Sequence, residues 1–228
     1  MKFLIACSGK GDRWNNYMNS PKHLINVNGE ILLHRTVRMI KERQSNNDTI
    51  HIVAFDNIYS IFGTHLIIPK YSTVEEKNMH YNYPFIYVSK NMWSTDSNTI
   101  ILFGDVYFTD FAMDTIFSNI NKSHQYLFFG RENASQFTGC QYGELFGMSF
   151  NFDFVNTLWE NVIEIKNLYD KKLISRFIHW ELYRKLESIP LKSHKIKNNF
   201  VEINDFTDDF DFPHDYDKWK KHWDDAKI

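Results

Sequence analysis

The strongest constraint on the fold lies in the first quarter of the chain, where two apolar runs of strand length enclose a helical stretch. "KFLIAC" (2–7) and "TIHIVAFD" (49–56) carry few polar positions before Ser, Gly, Asp or Asn residues take over. Strands without a polar face are buried on both sides, as in a mainly parallel sheet covered by helices. Between them, "EILLHRTVRMIKER" (30–43) sets Ile31, Leu32, His34, Arg35 and Met39 at helical spacing and ends in basic residues, which suit a helix C-terminus. Strand, helix, strand in that order predicts a crossover unit and an α/β sheet. The rhythm continues: "TIILFGDVYF" (99–108) reads as a strand, "FAMDTIFSNI" (111–120) as a helix, and "YLFFGRE" (126–132) and "GELFGMSFNF" (143–152) as strands. "YDKKLISRFIHWELYRKLE" (169–187) reads as one long helix, and "STVEEKNMHYNYP" (72–84) as a loop. "FPHDYDKWKKHW" (212–223) closes the pattern with Tyr216, Trp219 and Trp223 on one helical face and Pro213 in the first turn. No internal repeat or linker interrupts the chain, so the expectation is one domain spanning 1–228.

Composition narrows the function classes. At 228 residues the chain can bury roughly 70% of its unfolded surface, and 43% hydrophobic residues supply a core of ordinary size. A net charge of -2 creates no field that would draw in nucleic acid or an anionic membrane, although a local site can still hold a small anion. The two cysteines, Cys7 and Cys140, form neither a disulfide framework nor a metal pattern, which suits a reducing compartment. The apolar run before Cys7 is too short for a signal peptide, and none is long enough to span a bilayer. The cytoplasm is the expected location.

The chemistry concentrates in the bend after the first strand, "ACSGKGDRW" (6–14). Glycines here suggest a phosphate-holding loop, and three designs compete. A dinucleotide-binding GxGxxG fails because Trp14 stands where the third glycine should allow close helix packing. A P-loop fails because Gly9-Lys10 is followed by Gly11 rather than Ser or Thr, without the first glycine at its proper distance. The third design is GxGxR with Pro-Lys after a short loop, and "SGKGDRWNNYMNSPK" contains every part in order. There the small residues turn backbone N–H groups toward an anion, while Arg13 and Lys22 bring charge.

On the stretch from Ala6 to Val37 the sequence resembles the sugar-nucleotide and phosphocholine-type nucleotidyltransferases. Their fold is shared with the nucleotide-binding half of many glycosyltransferases. Two further phrases agree: Gly104 and Asp105 in "IILFGDVYF", and the acidic run "DDFDFPHDYDKW" with Asp209, Asp211 and Asp215. The resemblance implies a Rossmann-like three-layer sandwich with a mixed, mainly parallel sheet. It implies nucleotide binding by Ala6, Cys7, Ser8, Gly9, Lys10, Gly11, Arg13, Lys22 and Gly104, with Lys22, Arg13 and Asp105 catalytic. Asp105 and Asp211, with Asp209 in support, would hold Mg²⁺. Glu144 and Arg131, near "FTGCQYGELFGMSF", would contact the acceptor. Ser8 departs from the usual loop residue, and its hydroxyl would add a donor; Asp12 stands where Ser or Thr is common. The second metal position stays open, because "VEINDFTDDF" also offers Glu202 and Asn204.

Each reading has a plainer competitor. Arg13 and Lys22 can be solvated side chains, Asp105 and Asp211 can be helix caps, and Trp219 and Trp223 core residues. The ten histidines show no paired metal spacing. The activity implied is transfer of an NMP group from an NTP to a phosphorylated acceptor, a sugar 1-phosphate or a phospho-alcohol such as phosphocholine. Pyrophosphate leaves and an activated nucleotide-diphosphate compound forms. The rival readings are a metal-dependent glycosyltransferase using Asp209 and Asp211 as its DxD pair, and a non-catalytic nucleotide-binding protein.

Overall fold

The computed structural model describes residues 1–120, 122, 124–139 and 142–226; Cys140 lies outside them. In chain order the strands are β1 (Lys2–Ala6), β2 (Asn26–Val27), β3 (Glu30–Ile31), β4 (Thr49–Val53), β5 (His65–Ile67), β6 (Thr99–Phe103), β7 (Val106–Tyr107), β8 (Tyr126–Gly130), β9 (Leu145–Phe150), β10 (Phe200–Glu202) and β11 (Asp208–Asp209). The helices are α1 (Leu32–Arg43), α2 (Val74–Asn82), α3 (Phe85–Val88), α4 (Asp110–Ile120), α5 (Val155–Asp170), α6 (His179–Leu186) and α7 (Pro213–Asp225).

Seven strands form the main sheet in the order β10-β8-β9-β6-β1-β4-β5. All its pairings are parallel except those of β9, which runs antiparallel to β6 and β8. The apolar runs are explained by alternation with both faces covered. Phe3 and Ile5 of β1 pack with α1 and α4 through Leu33, Val37, Ile40, Met113 and Ile116. Leu4 points the other way, into a layer with Leu158, Val162 and Ile165 of α5 and Trp180, Leu182 and Tyr183 of α6. This is the expected mixed, mainly parallel three-layer sandwich.

Two local expectations are corrected. Residues 169–187 are not one helix: α5 ends at Asp170 and α6 begins at His179. Lys172 takes φ 58 there, with Lys172 N–H donating to Tyr169 O (2.8 Å) and Leu173 N–H to Leu168 O (2.9 Å). That pair of bonds is a Schellman ending, which the apolar spacing on either side conceals. Residues 74–82 are not a loop but α2, started by Thr73, whose hydroxyl accepts from Glu76 N–H at 3.1 Å. The helix leaves all its residues but His80 and Tyr81 exposed, so it carries no apolar stripe for a sequence reading to find.

A third apolar cluster lies beyond the sheet's carboxyl end. Trp14, Ile25, Tyr107, Phe210, Tyr216 and Trp219 meet there, joining the glycine bend, β7 and α7. As expected, α7 starts at Pro213 and turns Tyr216 and Trp219 inward, with Trp223 packed beside them. Among the described residues, no helix is long and apolar enough to cross a membrane.

Candidate active site

The site is assembled where the carboxyl ends of β1 and β6 lie side by side, Ala6 opposite Phe103. After β1 the chain leaves the sheet, and among the described residues the amides of Ser8, Gly9, Lys10 and Gly11 donate to no protein acceptor. Gly11 takes φ +68, and a side chain built on Gly9 or Gly11 would meet nothing within 4 Å. The result is an open bend edged with free N–H groups, which suits an anion. Trp14 fixes the bend from below: it is 1% exposed, and its indole N–H reaches Ser20 O at 2.9 Å and Tyr17 O at 3.1 Å. Asn15, Asn16, Met18 and Asn19 all have φ between 50 and 59. This left-handed path, cheapest for Asn after Gly, folds the loop back and delivers Lys22 to the cleft.

Gly104 ends β6 with no room for a side chain. A Cβ there would lie 2.3 Å from Cys7 Sγ and 3.0 Å from Ala6 O. Its N–H donates to Ala6 O (3.0 Å), so the backbones of the two strands touch and Asp105 follows immediately. The short antiparallel pair of β7 with β11 matches Asp209 to Val106, and Phe210 N–H donates to Asp105 O at 3.2 Å. That pairing brings the C-terminal acidic phrase to Asp105.

Lys22 occupies the centre. Its Nζ donates to Asp105 Oδ2 and, at 3.0 Å, to Asp211 Oδ1. Arg13 meets the other oxygen of Asp211 at 2.6 Å and lies over the Phe212 ring at 5.1 Å. Burial works against the Lys22 charge, but Asp105 and Asp211 more than offset it and hold the ammonium above the ordinary lysine value. Burial likewise opposes ionisation of Asp105, yet Lys22 holds that carboxyl below its usual range. Asp209 differs: burial, then the like charges of Glu144, Asp211 and Asp105, push it well above a normal carboxyl. His23 is kept neutral, with a pKa lowered to about 4 chiefly by burial, and its Nδ1 lies 3.3 Å from the Tyr59 hydroxyl.

A cleft of about 320 Å³ opens over this group. Arg13, Lys22, Asp105, Asp209, Asp211 and Glu144 all line it. The sequence-predicted residues Ala6 and Gly9 are there too, and Lys10 is exposed beside the Tyr81 ring at 5.1 Å. Three expected roles change. Cys7 is buried and its N–H is taken by Val53 O at 2.9 Å, so its amide holds no phosphate. The Ser8 hydroxyl is buried and engaged with His80 Nε2 at 2.8 Å rather than offered to a ligand. Arg131 is 4% exposed and ion-paired with Asp208, and its Nη2 donates to Asp205 O (2.9 Å) and Thr207 O (2.6 Å). It clamps the segment that carries Asp209 instead of facing the cleft.

The two candidate phrases for the second acidic position lie in different places. Glu202 and Asn204 are exposed, and Glu202 ends β10 at the sheet's edge, with β8 and β9 between that strand and β6. Asp209 and Asp211 are the pair brought to Asp105. Phe85, Phe103, His179 and Trp180 also line the cleft, and no sequence pattern marks them for it. Each belongs to an apolar or helical pattern in which a cleft-facing position looks like core.

No family model matches the sequence, and no curated protein matches it either. Solved structures do share the architecture. A Bacillus anthracis protein assigned as a glucose-1-phosphate thymidylyltransferase superimposes with a TM-score of 0.61 at 12% identity, over 97% of this chain and 94% of that one. The CTP:phosphocholine cytidylyltransferase of Streptococcus pneumoniae gives 0.56 at 17% identity, over 97% and 98%. The inositol-1-phosphate CTP transferase of T. maritima gives 0.57 at 11% identity, over 96% and 95%. At these identities the likeness establishes a common fold, extended over nearly the whole of each chain.

Proposed function

We propose that the chain is a nucleotidyltransferase, one domain over 1–228, that moves an NMP group from an NTP to a phosphorylated acceptor and releases pyrophosphate. The acceptor is a sugar 1-phosphate or a phospho-alcohol of the phosphocholine kind. The observation that carries the reading is the meeting of Lys22 with Asp105 and Asp211 beside a bend of free amides and Arg13. Groups from three distant parts of the chain, residues 8–22, Asp105 and Asp211, converge on one cleft. The proteins of like fold, by their names, use a nucleotide with a phosphorylated small molecule, which supports the same class.

The reaction asks little covalent chemistry of the protein. An oxygen of the acceptor phosphate attacks the α-phosphorus, the bond from that phosphorus to the bridging oxygen breaks, and pyrophosphate leaves with the electron pair. Both partners are anions, so the protein must position them and supply positive charge. The amides of Ser8 to Gly11 hold the phosphates, and Arg13 and Lys22 neutralise the leaving group. The acceptor phosphate is ionised at neutral pH and needs no general base.

A divalent cation, Mg²⁺, fits the donor set. Asp105, Asp209, Asp211 and Glu144 line the cleft with Lys22 and Arg13, and the Asp209 carboxyl is pushed up first by its burial and then by these like charges. Among the described residues no three acidic, His or Cys side chains form a finished metal cage. Mg²⁺ characteristically takes one or two carboxylates and completes its shell with substrate phosphates and water. Asp105 and Asp211 would be those carboxylates, with Asp209 in support. When bound, the ion supplies Lewis-acid charge at phosphate oxygens.

The test is a screen of the common nucleoside triphosphates with Mg²⁺ against sugar 1-phosphates and phospho-alcohols, reading pyrophosphate. Productive pairs are expected, with unphosphorylated sugars inert. Nucleoside diphosphate released from a nucleotide sugar would instead assign Asp209 and Asp211 to glycosyl transfer.

A further inference from the structure

We propose that the acceptor carries a second anionic group, a carboxylate or a second phosphate, held in a basic chamber next to the cleft. The proposal rests on the nucleotidyltransferase reading for the identity of the reacting phosphate. The chamber, about 1080 Å³, adjoins the cleft through Glu144, Ile178 and Trp180, which belong to both walls. It is built from the segment that separates α5 from α6, from α6 itself, and from residues 191–194.

Its charges do not cancel. Asp170 is ion-paired with Lys166 and accepts from the Tyr83 hydroxyl at 3.1 Å. Glu181 is paired with Arg184 at 3.1 Å and Arg176 at 3.7 Å, and accepts from Ile178 N–H at 3.2 Å. Asp170 and Glu181 are therefore already answered from within the protein. Glu144 stands at the junction with the cleft, where its charge acts on Asp209. Lys172 and Lys192 face the chamber with no acidic partner among the described residues.

Arg184 adds to this positive charge. It is 4% exposed, its Nη1 bonds Glu181, its Nη2 lies 3.3 Å from His194 Nδ1, and its Nε has no acceptor at all. A buried guanidinium N–H without an acceptor is costly and uncommon. Arg184 lines the chamber, and its guanidinium would add its field to the contacts of Lys172 and Lys192 with an anion there, while the buried Nε itself is out of an anion's reach. An acceptor ending in a neutral or cationic alcohol leaves these groups uncompensated and most of the chamber unfilled.

The experiment compares three probes on one hexose by calorimetric titration at fixed ionic strength: glucose 1-phosphate, glucuronic acid 1-phosphate and glucose 1,6-bisphosphate. At least one doubly anionic probe is expected to bind roughly tenfold or more tightly than glucose 1-phosphate. Preference for the uronic acid assigns a carboxylate, and preference for the bisphosphate a second phosphate. In the double variant Lys172→Ala, Lys192→Ala, with an unchanged melting temperature as the folding control, the preference is expected to collapse toward parity. Equal affinity for all three probes, no binding of any, or a preference that survives the double variant overturns the proposal. Because the readout is binding, pyrophosphate release with equal affinities sinks only the chamber. A strong preference without pyrophosphate release sinks only the nucleotidyltransferase reading.

Discussion

Replacing Lys22 by Met keeps the length of the side chain and removes the charge that joins Asp105 to Asp211. Taken as an isolated basic residue, Lys22 should matter little, less than about 0.5 kcal/mol. The structure predicts otherwise, because its side chain is 11% exposed and that of Asp105 18%. Removing one member of a buried pair costs roughly 3–5 kcal/mol, since the other charge is left uncompensated. Asp211 remains 29% exposed and keeps Arg13 at 2.6 Å, which puts the loss at the lower end, about 3 kcal/mol. For a chain of this size that corresponds to a melting temperature lower by about 6–12 °C. The electrostatic origin also sets a pH signature. In the native chain Lys22 holds the Asp105 pKa below its unfolded value, so this contribution is fully present above about pH 4 and is lost as pH falls through the lowered value. In the variant the Lys22 charge no longer opposes burial, so the Asp105 pKa moves up from its native value and acid relieves the penalty by protonating it. Urea unfolding at pH 7.5 and pH 4.5, with equal m-values as the control, measures both effects. A loss below about 0.5 kcal/mol at pH 7.5, or one that does not shrink in acid, would refute the buried-pair account.

Asp105→Asn should lower metal-dependent pyrophosphate release by about two orders of magnitude, roughly 3 kcal/mol in the transition state. Wild-type turnover in that variant would remove Asp105 from the chemistry. Gly104→Ala places a Cβ 2.3 Å from Cys7 Sγ, and overpacking of this kind costs about 1–3 kcal/mol. Adding Cys7→Ala should recover part of that loss, and strict additivity in denaturant melts would show that the clash is not the cause. His23 and His179 are held neutral, with pKa values lowered to about 4 by burial. The unfolded chain takes up those protons first, so stability should be full above about pH 6.5 and fall toward pH 4 by up to about 1.4 kcal/mol per pH unit per histidine. A flat stability profile over that window would contradict their burial as neutral rings.

The parts of this site that could be read in the sequence are those carried by local pattern. The apolar run before Ser8 and the run before Gly104 each mark a sheet strand, and in a parallel sheet the residues just past such ends share one edge. Arg13, Lys22 and Asp105 could therefore be placed together before any coordinates. Asp211 could not be separated from Glu202 in the same way. The separation depends on the pairing of β11 with β7, two residues long, and on the sheet order that leaves β10 at the edge. Neither has a periodicity. Arg131 departs from its expected role for a related reason: an arginine after a strand looks alike whether it meets solvent or Asp208. Only tertiary contact reveals that it anchors the acidic phrase from behind. The break between α5 and α6 was hidden because apolar residues continue at helical spacing across it. With that break went the chamber formed by the segment in between.

In the proposed reaction Lys22, Asp105 and Asp211 serve an attack by the acceptor's own phosphate on the α-phosphorus of an NTP. The most direct measurement follows heavy oxygen placed in the non-bridging positions of the acceptor phosphate through a single turnover, with products read by mass spectrometry. The expected product is a nucleoside-diphospho compound that retains every heavy oxygen, alongside pyrophosphate that carries none. Label in the pyrophosphate, release of labelled inorganic phosphate, or nucleoside diphosphate as the departing product would contradict that reaction.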